Sequence, residues 1–446
     1  MSAQASLWPN IEKPFFEDLE RISQKCGRWD FIMFSGDLVQ KGDPKEYVKL
    51  NETLKRLYER LHSLGSDPVL LVVPGNHDLK RPASSDENVQ KLQRFHQDMA
   101  VSNEFWGNSG SPLRHLVKNA FAPFVRWYKN HPFAKPAKFT QGILPGDFSA
   151  TIEKRDIRIG IVGLNSAFLQ LQEGDYRGKL ALSTNQLISV CGEHFTDWFD
   201  KHTVCFLMTH HPPSWLAHNS REVLHNDIAL PGRFVAHLCG HLHEPCQETI
   251  VTGGDPEARR CWQGRALFGL EFYGDTGQQY ERSHGYSAGM VDVDNEGGAV
   301  RLWPRQANKL QSGKWNFGDD RSAIVQQDAG TSPEPVTVGY QGEKATPAGP
   351  QKNTRFCFSP PTRTLVLHAR RWLSISGAPW ESWFRIQANS TIESTISLFS
   401  SRRGGGTTEV VHLRGETAMH PRRHLLWTKK LTGLLGSWSN SVQTVS

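Results

Sequence analysis

Two rhythms of apolar and polar residues run along the first two thirds of the chain. Ile11, Phe15, Leu19, Ile22 and Cys26 recur at three- and four-residue steps, which predicts a helix over 11–26 stopped by Gly27. The run "WDFIMFSGD" then reads as a buried strand. Asp43, Pro44 and Glu46 have the order of an N-cap, a first-turn proline and the returning carboxylate of a capping box. Behind them Tyr47, Leu50, Leu54, Leu57, Leu61 and Leu64 predict a second helix, ended by Gly65. "PVLLVV" follows as another strand. Residues 89–135 have helical texture with many aromatics, whose plain role is core packing. Further strands are expected at 157–165, 203–211 and 233–243. A last hairpin is expected in "AGMVDVDNEGGAVRLWP", turning at 295–298. The alternation of helix and strand predicts an α/β sheet covered by helices.

Beyond residue 318 the texture changes. The expected organisation is a folded domain over 1–318, a Pro- and Gly-rich linker over 319–354, and a tail over 355–446 with no sustained period. Charge divides in the same way. Residues 321–446 carry 15 Lys and Arg against 7 Asp and Glu, and the rest of the chain carries 36 against 38. A near-neutral body argues against long nucleic acid as a partner. The tail is the expected contact for a protein partner, and its basic balance and five Trp also raise nucleic acid as a less favoured one. Seven cysteines without a C-x-x-C pair fit a reducing cytosol, and no run approaches the roughly 18 apolar residues of a spanning helix. The expectation is a soluble, cytoplasmic protein with no membrane partner.

Four of the apolar runs finish in oxygen or imidazole donors. "FIMFSGD" ends in Asp37, and "VLLVVPGNHD" in Asn76, His77 and Asp78. "VCFLMTHH" ends in His210 and His211, and "VAHLCGHLH" in His241 and His243. Asn, Asp and Gly are ordinary turn formers, so any one of these endings carries little weight. Their repetition at four strand ends carries more, because strand C-termini converge on the ligand crevice of open α/β sheets. An Asp, an Asn and several His suit a borderline divalent metal such as Mn, Fe, Zn or Co. A pair of such ions can clamp a phosphoryl group.

The order Gly-Asp, Gly-Asn-His-Asp, His, Gly-x-His resembles the calcineurin-like metallophosphoesterase family, over about residues 30–305. The resemblance implies a four-layer α/β/β/α sandwich and a site for two divalent ions that hydrolyses a phosphate ester, whether a phosphodiester, a cyclic nucleotide or a phosphomonoester. It makes Asp37 the bridging carboxylate, with Asn76, His210 and His241 on one ion and His243 on the other. His77 would face the phosphate, and Asp78 would orient His77. The family's opening strand, ending Asp-x-His, has no counterpart before Asp37. That implies a missing first strand, two unpaired sheet edges and an ion site left with Asp37 and His243 alone. The expectation is a truncated start, either because the true N-terminus lies upstream or because this form lost it. The alternative is a non-catalytic domain of the same fold that acts as a sensor or scaffold.

Overall fold

The computed structural model describes residues 3–154, 157–242, 246–251, 257–267, 284–293, 297–323, 325 and 330–339. It also describes the strand backbones at 354–357, 373–375, 378–387, 393–401 and 410–416. The strands of the first 362 residues are β1 Phe31–Phe34, β2 Val69–Val72, β3 Lys138–Gln141, β4 Phe148–Lys154, β5 Ile157–Gly163, β6 Val204–Met208, β7 Ala236–Cys239, β8 Cys246–Val251, β9 Ala258–Gln263, β10 Gly285–Val293, β11 Gly298–Lys309, β12 Trp315–Asp319, β13 Glu334–Val336 and β14 Thr354–Cys357. The helices are α1 Ala3–Cys26, α2 Pro44–Ser63, α3 Glu87–Leu92, α4 Met99–Gly107, α5 Pro112–Ala120, α6 Ala122–Asn130, α7 Thr184–Cys191, α8 Phe195–Asp200 and α9 His218–Val223.

Two sheets form. One runs β12-β11-β10-β14-β1-β2 with β13 on β11, and the other runs β3-β4-β5-β6-β7-β9-β8. The apolar runs are continuous because both faces of their strands are covered. In β1, Phe31 and Met33 join the core between the sheets, while Ile32 packs under α1 and α2. In β6, Val204, Phe206 and Met208 face the other sheet, and Cys205 and Leu207 face the helices that carry Phe105 and Leu187. Three cores thus separate four layers, helix, sheet, sheet, helix. This is the α/β/β/α arrangement that the family resemblance implied.

The helix signals hold where they were strongest. Asp43 caps α2, and Glu46 returns its carboxylate to the Asp43 N–H at 3.2 Å. The gap expected beside β1 is bridged from far downstream: β14 lies between β1 and β10, parallel to the first and antiparallel to the second. Composition placed the end of the body near 318, while β13 and β14 pair within the same sheet. Residues 363–446 form a separate compact unit. Its described strands, β15 Leu373–Ile375, β16 Ala378–Gln387, β17 Glu393–Ser401 and β18 Val410–Glu416, make an antiparallel sheet in chain order. Among the described residues, no helix is long and apolar enough to cross a membrane.

Candidate metal centre at the strand tips

Strands β1, β2, β6 and β7 end at one edge of the sandwich, and their tips bring side chains from residues 37 to 241 together. The tightest point is the His210 ring, which is 1 % exposed. Its Nδ1–H donates to the Ser35 carbonyl at 2.6 Å, which fixes the tautomer and leaves Nε2 with a lone pair. Around that Nε2 stand Asp37 Oδ2 at 3.2 Å, Asn76 Oδ1 at 3.1 Å and His241 Nδ1 at 3.1 Å. With metal bonds of about 2.0–2.2 Å, neighbouring ligand atoms lie about 3 Å apart. The spacing and the donor set therefore both fit a divalent ion. Without a cation, a proton on His210 Nε2 or on His241 Nδ1 has to lie between these atoms. Burial works most strongly against a proton on His210, but the Asp37 carboxylate, with the Ser35 carbonyl and the Asp78 charge, raises the His210 affinity for it. Burial would raise Asp37 too, and the His210 and His77 contacts instead hold it well below the usual carboxylate range.

The backbone is bent to make this convergence. Among the described residues, Asp37 and His241 are the non-glycine residues with positive φ, at 57° and 70°. Such left-handed conformations cost on the order of 1–3 kcal/mol each and persist where the surroundings enforce them. Gly36 has φ of 99°, and a Cβ there would lie 2.6 Å from His210 Nδ1. A Cβ on Gly75 would lie 2.1 Å from Asp37 Oδ1. Both glycines are needed because the strand tips pass so closely.

His77 is half-buried beside these donors rather than among them. Its backbone N–H donates to Asp37 Oδ1 at 2.9 Å, and its Nδ1–H donates to the Gln40 carbonyl at 3.0 Å. The expected Asp78–His77 contact is not formed, and the role read for Asp78 is corrected here. The Asp78 carboxylate is fully buried and takes three backbone N–H bonds, from Asp37 (2.7 Å), Gly75 (2.8 Å) and Val39 (3.1 Å). Both oxygens are consumed in holding the β1 and β2 tips together, so Gln40 orients His77. Burial and the Asp37 charge push the Asp78 affinity for a proton upward.

His211 lies in the same cluster, with a ring nitrogen within 4.8 Å of one on His210 and one on His241. It offers no free lone pair, however. Ser166 Oγ accepts the His211 backbone N–H at 2.9 Å and donates to Nδ1 at 3.0 Å, and Nε2–H donates to Gln170 Oε1 at 2.8 Å. Burial and the two neighbouring imidazoles drive its pKa well below 6.5, so it stays neutral. It packs between Trp215 and His241, whose ring centroids lie 5.7 Å and 4.4 Å away. Ser35, Gln40, Ser166, Gln170 and Trp215 were not singled out from the sequence. The first two act through backbone carbonyls, which no side-chain pattern reveals. His243 lies outside the described residues.

A cavity of about 200 Å³ touches Asp37, His210 and His241 and continues beneath α1 and α2 past Leu19 and Leu54. A larger one, about 320 Å³, lies between Val72, Arg114, Tyr128 and Phe148 and includes none of the donors. The smaller cavity is the one that matters for chemistry. No curated protein matches the chain. The family model described as calcineurin-like phosphoesterase matches residues 12–245, a span that carries every strand tip described above. The chain belongs to the calcineurin-like phosphoesterase family.

Proposed function

We propose that the chain is a metal-dependent hydrolase of phosphate esters, with Asp37, Asn76, His210 and His241 holding a divalent ion, of which manganese is our first choice. The observation that carries this reading is the convergence of Asp37 Oδ2, Asn76 Oδ1 and His241 Nδ1 within 3.2 Å of His210 Nε2. A bound divalent ion would supply positive charge to the phosphoryl oxygens and lower the pKa of a coordinated water.

The residues themselves do the rest. Asp37 offsets the cation charge, and Asn76 adds an oxygen without adding charge. Ser35 keeps the His210 Nε2 bare, so the imidazole binds as a neutral ligand. His77, with Nδ1–H fixed on Gln40, holds its second proton at Nε2 when charged and offers it to a phosphate oxygen or a leaving group. His243 is proposed as a ligand of a second ion, with Asp37 between the two.

A second reading, a one-ion or non-catalytic domain that senses or scaffolds, draws on one further observation. Asp37 Oδ1, the oxygen left for a second ion, already accepts the His77 N–H. Hydrolysis of a chromogenic phosphodiester and of a phosphomonoester with added manganese separates the two. The hydrolase reading expects turnover that chelator abolishes and that falls about 10²–10³-fold in His77→Ala with metal content retained. Manganese binding without turnover on either ester would favour the sensor.

A further inference from the structure

A second chemically loaded cluster lies one strand-end back from the metal centre. On β7, His237 and Cys239 share a face, and Cys261 of β9 is the register partner of His237. Cys239 Sγ and Cys261 Sγ are 3.8 Å apart. Cys239 is fully buried, whereas Cys261 is half-buried and lines a small cavity with His225, Glu248 and Arg259.

The hydrogen bonds here have a direction. Thr209 Oγ1 donates to the His211 carbonyl at 2.8 Å, so its contact with His237 Nε2, also 2.8 Å, is one in which the imidazole N–H donates. His237 Nδ1 is then bare, and it faces the Cys261 thiol at 3.9 Å. The hydrogen bond from Cys239 and the nearby imidazole pull the Cys261 pKa below the ordinary thiol range. By contrast, burial raises the thiols of Cys191 and Cys205.

We propose that Cys261 and Cys239 are a peroxide-reactive thiol pair that closes to a disulfide and, in doing so, loosens the neighbouring metal centre. In the first step the Cys261 thiolate attacks a hydroperoxide oxygen. The O–O bond breaks, Cys261 becomes a sulfenic acid, and the alcohol or water leaves with the proton that His237 Nδ1 took. In the second step Cys239 attacks the sulfenic sulfur and water leaves. Two thiols are oxidised, one peroxide is reduced, and no other oxidant is needed.

Closing 3.8 Å to a sulfur–sulfur bond of about 2.05 Å must pull on the backbone, because Cys239 sits two residues along from the register partner of Cys261. The end of β7 has little slack. Gly240 N–H is bonded to the His210 carbonyl at 2.8 Å, and a Cβ at Gly240 would already meet Ser35 Oγ at 2.7 Å. His241 follows at once. The coupling to metal rests on the metal reading above, but the thiol pair itself does not.

The full chain loaded with manganese is treated with hydrogen peroxide, digested without reductant and mapped by mass spectrometry. A Cys239–Cys261 cross-linked peptide is expected, absent from Cys261→Ser and formed more slowly in His237→Gln. Cys261 driven to sulfinic acid with Cys239 still a thiol, or a disulfide through Cys246 or Cys191, would overturn the pairing. Manganese affinity of the oxidised chain should fall by about tenfold and return with dithiothreitol, while Cys261→Ser shows no such fall. Unchanged affinity in chain that carries the disulfide would overturn the coupling. Reduced chain that binds no manganese would sink the metal reading, and with it the coupling, while the peptide map still decides the pair.

Discussion

Two carboxylates taken out of water, Asp18 and Asp37, have opposite surroundings. Asp18, on the inner face of α1, is 0 % exposed and meets four donors. Arg305 grips it bidentately through Nε (2.8 Å) and Nη2 (2.7 Å), and Arg21 (2.6 Å) and the Tyr286 hydroxyl (2.7 Å) complete the set. Arg305 also pairs with Asp319. Every acceptor there has its own donor, so the cluster is closed and serves to pin α1 to β10 and β11. Asp37 instead shares one imidazole with an amide oxygen and a second imidazole. Its backbone is in the left-handed region, and its Oδ2, Asn76 Oδ1 and His241 Nδ1 all converge on one imidazole nitrogen. A buried charge with a full complement of partners does structural work. One that converges with an amide oxygen and imidazole nitrogens on a single point is built for something that arrives from outside.

The largest effect should come from breaking the closed cluster. Asp18→Ala leaves the buried Arg305 guanidinium with Asp319 alone, and loss of one partner of a buried pair costs about 3–5 kcal/mol. Thermal melts should show a drop of several degrees or more that manganese does not repair. If the variant melts with the wild type, α1 is not pinned by this cluster. The open cluster should behave the other way. Asn76→Ala removes a neutral oxygen and should leave the melting temperature of metal-free chain within a degree or two. Its manganese affinity should fall by about 100-fold or more, as calorimetry would show. A variant that keeps its affinity would remove Asn76 from the site.

A third buried group sharpens the contrast between paired and unpaired imidazoles. His131 has neither ring nitrogen hydrogen-bonded and lies among Trp127, Tyr128 and Phe133. Burial, helped by Lys135, pushes it down to about 4 from 6.5. The folded chain therefore takes up this proton less readily than the unfolded chain, and acid works against folding from about pH 6.5 down towards 4. His131→Phe should lose less stability than wild type between pH 7 and pH 5. After allowance for partial screening, the difference is on the order of 1 kcal/mol. Parallel melting curves at the two pH values would contradict it. The smallest effect belongs to His211→Gln. Since His211 spends both nitrogens on Ser166 and Gln170, manganese affinity should change by only about threefold. A loss as large as that of Asn76→Ala would make His211 a ligand after all.

The open cluster was far more legible in the sequence than the closed one. Strand tips announce themselves because a doubly covered strand is an unbroken apolar run, and Asp37, Asn76, His210 and His241 each follow one. The Asp18–Arg305 grip joins residues 287 apart. A carboxylate in the apolar stripe of α1, between Phe15, Leu19 and Ile22, is the mark that could have exposed it. The duty of Asp78 was hidden for another reason. Its three bonds go to backbone N–H groups, one of them 41 positions away at Asp37, and backbone donors leave no trace in residue type. Strand β14 was unreadable because four residues at the junction of the linker and the tail carry too little pattern, and its place depends on the gap it fills.

The central claim is that the strand tips are held apart for a cation. The most direct measurement is anomalous diffraction at the zinc edge from crystals of the chain soaked in zinc. The account predicts a peak about 2.0–2.2 Å from Asp37 Oδ2, Asn76 Oδ1, His210 Nε2 and a His241 nitrogen. A peak elsewhere, or none at this cluster while His210 keeps its contact with Asp37, would contradict it.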